Sequence, residues 1–177
     1  MAETGGKTAT AGEIQDLIAA FGDPEIVKRH AAITAFREIG EPAVRPLIAA
    51  IANAPDNDRR WYAAIALSRI GEPAVIPLIM AMESNPDREF RKYTAAALGE
   101  IGEPAVDAMI DGMASDDPEL RGFLSQALCR IGKPAVAPLT SRLDDPDETL
   151  QHCVTLTLWQ MGETGLPSMV EKLQDGE

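Results

Sequence analysis

A six-residue string recurs along this chain at nearly constant spacing, and that recurrence decides its fold class. Ile39-Gly40-Glu41-Pro42-Ala43-Val44 returns as Ile70-Gly71-Glu72-Pro73-Ala74-Val75 and as Ile101-Gly102-Glu103-Pro104-Ala105-Val106. It comes back as Ile131-Gly132-Lys133-Pro134-Ala135-Val136, and in altered form as Met161-Gly162-Glu163-Thr164-Gly165-Leu166. The steps are 31, 31, 30 and 30 residues. A fixed period of this length marks a repeat architecture, in which each unit buries its apolar face only by stacking on its neighbours.

Each repeat resolves into two helices. Before one Ile-Gly lie Phe90, Thr94, Ala97, Leu98 and Ile101, at i, i+4, i+7, i+8 and i+11, which is one face of a helix with 3.6 residues per turn. Gly102 then falls where a left-handed C′ residue would end that helix, and glycine fills the same column in all five repeats. Glu103-Pro104 follows as acidic cap and first-turn proline of a second helix, whose apolar stripe is Val106, Met109, Ile110 and Met113. A further proline recurs at Pro46, Pro77 and Pro138. It fits if regular hydrogen bonding begins one or two residues after the first proline, because its missing N–H would then be unpaired anyway.

The one-residue difference in period belongs to the turn between repeats. Ile51 to Arg59 and Met82 to Phe90 are 8 residues, whereas Met113 to Leu120 and Leu143 to Leu150 are 7. Those turns hold Asp23-Pro24, Asn85-Pro86-Asp87, Asp117-Pro118 and Asp145-Pro146, all signals for a helix N-terminus. Val154-Thr155-Leu156-Thr157-Leu158 alternates and is β-branched, but Leu158 and Met161 keep the helical columns, so it is assigned to a helix. Glu13 to Phe21 aligns with a second helix alone. The expected organisation is an all-α superhelix: a tail over 1–11, one solenoid domain over 12–173, and a tail over 174–177. Within it lie a half-repeat (12–22) and five repeats (about 23–53, 54–84, 85–115, 116–144 and 145–173).

Composition narrows the function classes. The 28 acidic residues against 16 basic ones leave a net charge of −12, which repels phosphate backbones and disfavours nucleic acid as a partner. No run of 18 apolar residues suggests a membrane span, and the polar start, Met1 to Thr8, has no apolar core of a secretion signal. Cys129 and Cys153 lack metal-motif spacing and both fall within expected helices, consistent with buried thiols and a cytoplasmic location. No catalytic constellation, metal set or phosphate loop stands out, so no cofactor and no enzymatic activity are expected.

The Ile-Gly-Glu-Pro-Ala-Val-x-Pro-Leu-Ile unit, preceded by an Ala-rich helix, resembles the HEAT-like repeats named after phycobilisome lyases, over roughly residues 12–173. The resemblance implies a superhelix with first helices on the convex side and second helices lining the concave side. It also brings two enzyme-associated branches. The di-iron branch needs repeated His-Glu pairs, and here His30 and His152 are followed by Ala31 and Cys153. The bilin lyase branch leaves an alternative function, a tetrapyrrole-handling lyase subunit or chaperone.

The principal expectation is a non-enzymatic scaffold that binds another protein on the concave face, through a helix or a basic tail, with a small-molecule ligand disfavoured. Two columns of the second helices fall off the apolar stripe. One reads Gln15, Arg45, Ile76, Asp107, Ala137 and Pro167; the other reads Ala19, Ala49, Met80, Asp111, Ser141 and Glu171. Ile76 and Met80 are large apolar residues where solvent is expected, with Ala49 beside them and Asp107 and Asp111 on the following repeat. The candidate partner-binding set is Arg45, Ala49, Ile76, Met80, Asp107, Asp111, Ser141 and Glu171, an apolar seat flanked by carboxylates. Against it stands the ordinariness of single exposed apolar residues.

Three other features have plainer explanations. The first-helix column Arg29, Arg60, Arg91, Arg121 and Gln151 could bind an anion, but pairing with turn carboxylates such as Asp58, Asp87 or Asp117 explains it more simply. Trp61, Tyr62, Tyr93, Phe123 and Trp159 could line a tetrapyrrole site, yet Tyr62, Tyr93 and Phe123 share one column, as inter-repeat packing would require. His152 beside Cys153 has no third group to activate it, so a structural role is expected.

Overall fold

The computed structural model describes residues 9–175, and among them every regular element is a helix. The elements are α1 (Ala11–Ala19), α2 (Ile26–Ile39), α3 (Val44–Asn53), α4 (Asn57–Ile70), α5 (Val75–Ser84), α6 (Arg88–Ile101), α7 (Val106–Gly112), α8 (Pro118–Ile131), α9 (Lys133–Ser141), α10 (Glu148–Gln160) and α11 (Leu166–Asp175). This is the expected half-repeat followed by five helix pairs, α2–α3 through α10–α11, and the fold class is an all-α solenoid. The chain divides between Ala97 and Leu98, inside α6, into two compact units. Most of the expected N-terminal tail lies outside the described residues. Thr10, at its end, caps α1 through a capping box, accepting from Glu13 N at 3.3 Å while its own N–H donates to Glu13 Oε2 at 2.7 Å.

Each repeat turns at its glycine. The N–H groups of Gly40, Gly71, Gly102 and Gly132 donate to the carbonyl four residues back, at 2.9 to 3.2 Å, and complete the first helix. Their own carbonyls accept from Ala43, Ala74, Ala105 and Ala135 at 2.9 to 3.0 Å and open the next turn. The torsions correct the sequence expectation. All four have positive φ, but Gly71 sits at φ 83° and ψ −139°, and Gly40 at φ 72° and ψ −138°, far from the left-handed helical ψ near +47°. That region is closed to a Cβ-bearing residue, because the carbonyl must swing away from the helix it has just ended. An added Cβ would meet nothing within 4 Å at any of these glycines, so the demand is conformational and not a matter of space.

After the glycine in the first three repeats, Glu-Pro-Ala forms a 3₁₀ turn, and the second helix begins at Val44, Val75 or Val106. Pro46 and Pro77 are thus third residues of α3 and α5, where the N–H has no intrahelical partner, as expected. In the fourth repeat the helix begins earlier, at Lys133, and Pro138 is its sixth residue, although Ala135 N still donates to Gly132 O. The shorter turns also show where the missing residue goes. α7 stops at Gly112, and Met113, Ala114 and Ser115 donate three residues back to Ile110, Asp111 and Gly112. Arg142 and Leu143 do the same to Leu139 and Thr140. A deleted residue is absorbed by tightening the end of the second helix from α to 3₁₀.

Aspartates close the other ends of the turns. Asp56 accepts from Arg59 N at 2.8 Å and Asp87 from Phe90 N at 2.7 Å. Asp117 holds Glu119 N and Leu120 N as expected. On α10 the cap is Asp147, two residues past the expected Asp145, which instead accepts from Asp147 N at 3.0 Å. The core is what the columns foretold: Leu47, Ile51, Leu78 and Met82 in the first unit, and Met109, Leu124, Leu139 and Leu158 in the second, are all 0% exposed. Complete burial of one such side chain stabilises by about 1.5 to 3 kcal/mol.

Two glycines should respond in opposite directions. Gly71→Ala forces alanine into a region it does not enter and should destabilise by about 1 to 3 kcal/mol in urea unfolding. Gly122→Ala, inside α8 with nothing within 4 Å of the added methyl, should stabilise by about 0.5 to 1 kcal/mol. Equal responses would show that the corner conformation is not what Gly71 is needed for.

Candidate functional site

The second helices bury one face and leave the other bare. On α5, Val75, Leu78, Ile79 and Met82 are buried, while Ile76 and Met80 are 58% and 60% exposed. They lie at i and i+4 and so stand side by side along one stripe. On α3, Val44, Leu47 and Ile51 are buried, and Arg45 and Ala49 are exposed at the matching positions. In the second unit Asp107 and Asp111 on α7, Ala137 and Ser141 on α9, and Pro167 and Glu171 on α11 are exposed. With Gln15 and Ala19 on α1, all twelve positions of the two columns are open to solvent.

The carboxylates are not equivalent. Asp111 is held in an ion pair by Arg142, whose guanidinium also contacts Asp145 at 2.9 Å. Asp107 keeps an exposed carboxylate one turn earlier on the same helix. Ser141 Oγ donates to Pro138 O at 2.7 Å, which holds its hydroxyl against its own helix.

The second unit also has an open groove of about 1150 Å³ between α9, α10 and α11. Ser141, Glu171, Gln151 and His152 line it, and Lys172 contacts Asp144 at its edge at 2.8 Å. The two off-stripe columns do not mark this groove, but one residue of the sequence does. Thr140 stands where Ile48, Ile79 and Ile110 stand in earlier repeats, and it lines this groove. In the first unit a smaller hollow of about 160 Å³ lies beside Phe21 and Arg59.

The first-helix cations are structural, with a shared partner that the sequence did not reveal. Arg29 Nε donates to Asp23 O at 2.6 Å, Arg60 Nε to Ile51 O at 3.3 Å, and Arg121 Nη1 to Ser115 O at 2.6 Å. Arg91, only 2% exposed, gives Nε to both Met82 O and Asn85 O, at 3.0 and 2.9 Å. Gln151 Nε2 repeats the contact on Leu143 O at 2.9 Å. Each side chain reaches back to main-chain carbonyls at or just past the end of the preceding second helix. Those carbonyls are the ones a helix leaves unpaired, and the negative end of its dipole favours a cation there.

The aromatics also divide between packing and surface. Tyr62 stacks on Phe21 with ring centroids 6.1 Å apart, and Arg29 lies 5.4 Å from its ring centre. Tyr93 and Phe123 are half-buried, whereas Trp61 and Trp159 are 46% and 63% exposed. Cys129 and Cys153 are both free and half-buried, and desolvation raises the pKa of each thiol. That disfavours the reactive thiolate. His152 is exposed, and among the described residues no group of three or more potential metal ligands converges.

The sequence matches the family of HEAT repeats three times, at residues 14–99, 44–122 and 77–159. None of the curated proteins matches it. Among solved structures, one engineered protein aligns at 17% identity over 90% of this chain and 85% of that one, with a TM-score of 0.36. Another engineered protein aligns at 17% identity over 92% and 90%, with a TM-score of 0.31. A de novo designed 16-helix transmembrane nanopore aligns at 13% identity over 92% of this chain and 54% of that one, with a TM-score of 0.25. Among the described residues no single helix is long and apolar enough to cross a membrane.

Two outcomes follow from these contacts. Arg91→Met leaves buried carbonyls without their donor and should cost about 2 to 4 kcal/mol, against about 1 kcal/mol for the half-buried Arg60→Met, both read by urea unfolding. Asp145 is held below its ordinary pKa of 3.8, first by the Asp147 N–H and then by Arg142. Its stabilisation is therefore complete above about pH 4 and is lost as pH falls through the lowered folded value. Asp145→Asn should flatten the acid side of a stability-versus-pH curve and leave the slope near neutrality unchanged.

Proposed function

From the premise that this chain belongs to the HEAT-repeat family, we propose that it is a non-enzymatic protein-interaction scaffold that engages its partner through the exposed face of its second helices. The observation that carries the proposal is the pair Ile76 and Met80. They are about three-fifths exposed and one turn apart, on a helix whose other face is sealed into the core. Nothing in the fold requires them, because Arg45 and Ala49 fill the same columns one repeat earlier with the same burial pattern beneath. Covering both with a partner's apolar side chains would contribute about 1 to 3 kcal/mol each, enough to anchor a contact.

The proposed contact residues are Arg45, Ala49, Ile76 and Met80 on the first unit and, as a separate set, Asp107, Asp111, Ser141 and Glu171 on the second. A helix with apolar anchors suits the first set, and a segment that carries Lys or Arg suits the second. Asp107 is the carboxylate available to such a cation, while Asp111 already serves Arg142.

The double substitution Ile76→Ser and Met80→Ser tests this. Thermal unfolding should stay within about 0.5 kcal/mol of the parent, because neither side chain is buried. Parent and variant, immobilised side by side in cell extract and compared by quantitative mass spectrometry, should differ in a small set of proteins retained only by the parent. Identical retention would remove the second-helix face from consideration. A bilin added at micromolar concentration should leave its absorption spectrum unchanged; a shift would favour the tetrapyrrole alternative.

A further inference from the structure

The sequence holds seven methionines, and those among the described residues, all but Met1, differ in depth. Met82, Met109 and Met113 are 0% exposed, and Met113 Sδ also accepts from Thr157 Oγ1 at 3.9 Å. Met161, at the end of α10, and Met169, on the wall of the open groove, are half-buried. Met80 alone among them is mostly in solvent, at 60% exposure. Helical geometry explains the contrast with Met82 on the same helix. Two residues are about 200° apart around the axis, so Met82 joins Leu78 in the core while Met80 joins Ile76 on the opposite side.

The thioether is the part of this apolar pair that chemistry can change. When Met80 Sδ attacks the distal oxygen of a hydroperoxide, the S–O bond forms and the O–O bond breaks. A proton passes to the departing oxygen, the hydroperoxide leaves as an alcohol, and the sulfur has lost two electrons. The sulfoxide carries a strong hydrogen-bond acceptor where the thioether was apolar, and methionine sulfoxide reductases reverse the change. At Met82, Met109 or Met113 that oxygen would have to enter a close-packed core without water. At Met80 it stays in solvent, so the surface changes and the fold does not. Cys129 and Cys153 lie on first helices of the second unit, and oxidation there leaves α5 as it was.

We infer that Met80 is a reversible oxidation site, at which a hydroperoxide turns the apolar second-helix face of the first unit polar. As a control over binding, this rests on the reading of that face as a docking surface. Ile76 keeps its character, and the anchor one turn along is withdrawn. Loss of one such anchor weakens a contact about tenfold or more.

Peptide mapping of the folded full chain after treatment with tert-butyl hydroperoxide, a reagent too bulky for sulfurs in the core, tests this. The first methionine oxygen should appear at Met80, with Met161 and Met169 trailing and Met82, Met109 and Met113 untouched until urea unfolds the chain. The urea midpoint should not move. Retention on a hydrophobic-interaction column should fall to that of Met80→Gln, and methionine sulfoxide reductase should restore it. Met80→Leu, which keeps the apolar seat without the sulfur, should hold its retention under the same treatment. Oxidation of Met161 or Met169 as fast as Met80 overturns the inference, as does equal loss of retention by treated Met80→Leu or a lower urea midpoint at the first oxygen. Proteins that the parent retains from cell extract and the Ile76→Ser, Met80→Ser variant does not should leave the oxidised parent and stay on treated Met80→Leu. Their persistence on the oxidised parent would sink the control over binding. If the double serine variant retains all that the parent retains, the docking reading falls, and column retention still decides the oxidation site.

Discussion

The backbone reversal at the repeated glycine is the constraint on which the rest of the structure depends. One residue ends a helix through its N–H and starts the following turn through its carbonyl. At Gly71 the helical path is bent by 120° between Asn57–Ile70 and Glu72–Ser84. In the first three repeats this reversal places the prolines that follow in a first turn, where an N–H would have no partner, and Pro138, inside α9, is the exception. In the first three repeats only four residues, the glycine and its Glu-Pro-Ala turn, separate one helix from the next, and no longer linker is needed inside a repeat.

The second joint, between repeats, works by a different means. There the spacing varies by a residue, and the connection is kept by a side chain long enough to reach back. Arginine's fork donates to main-chain carbonyls that stay in place whether the second helix ends as α or as 3₁₀, which is why the column tolerates both turn lengths. Gln151 preserves the reach without the charge. Burying Arg91 would be costly without acceptors, and the chain supplies two of them from atoms every residue possesses.

The parts of this fold legible in the sequence were those encoded by residue type at fixed spacing. The helix pairs, the role of Pro46, the helical state of Val154 to Leu158 and the exposure of the two off-stripe columns all belong to that class. What escaped was encoded by partners without identity. Arg29, Arg60 and Arg121 each donate to a main-chain carbonyl, an acceptor that no residue type announces. The glycine torsion was misplaced in ψ because positive φ alone is what a bare glycine column announces. Arg142 lies 31 residues from Asp111, and nothing local told that this carboxylate already had a cation. For the candidate site the limit is of another kind: exposure and apolar character can be seen at Ile76 and Met80, but the complementary surface belongs to another molecule.

The glycine reversal has a consequence for how such a chain can change over time. Every repeat contains its own corner and touches the previous repeat through acceptors that any sequence offers. A block of some thirty residues can therefore be copied, removed or transposed without inventing a new junction. Because the exposed columns carry none of that junction chemistry, such rearrangements reorder the surface like tiles on an unchanged frame. Lineages can explore new recognition faces by recombination as readily as by point substitution.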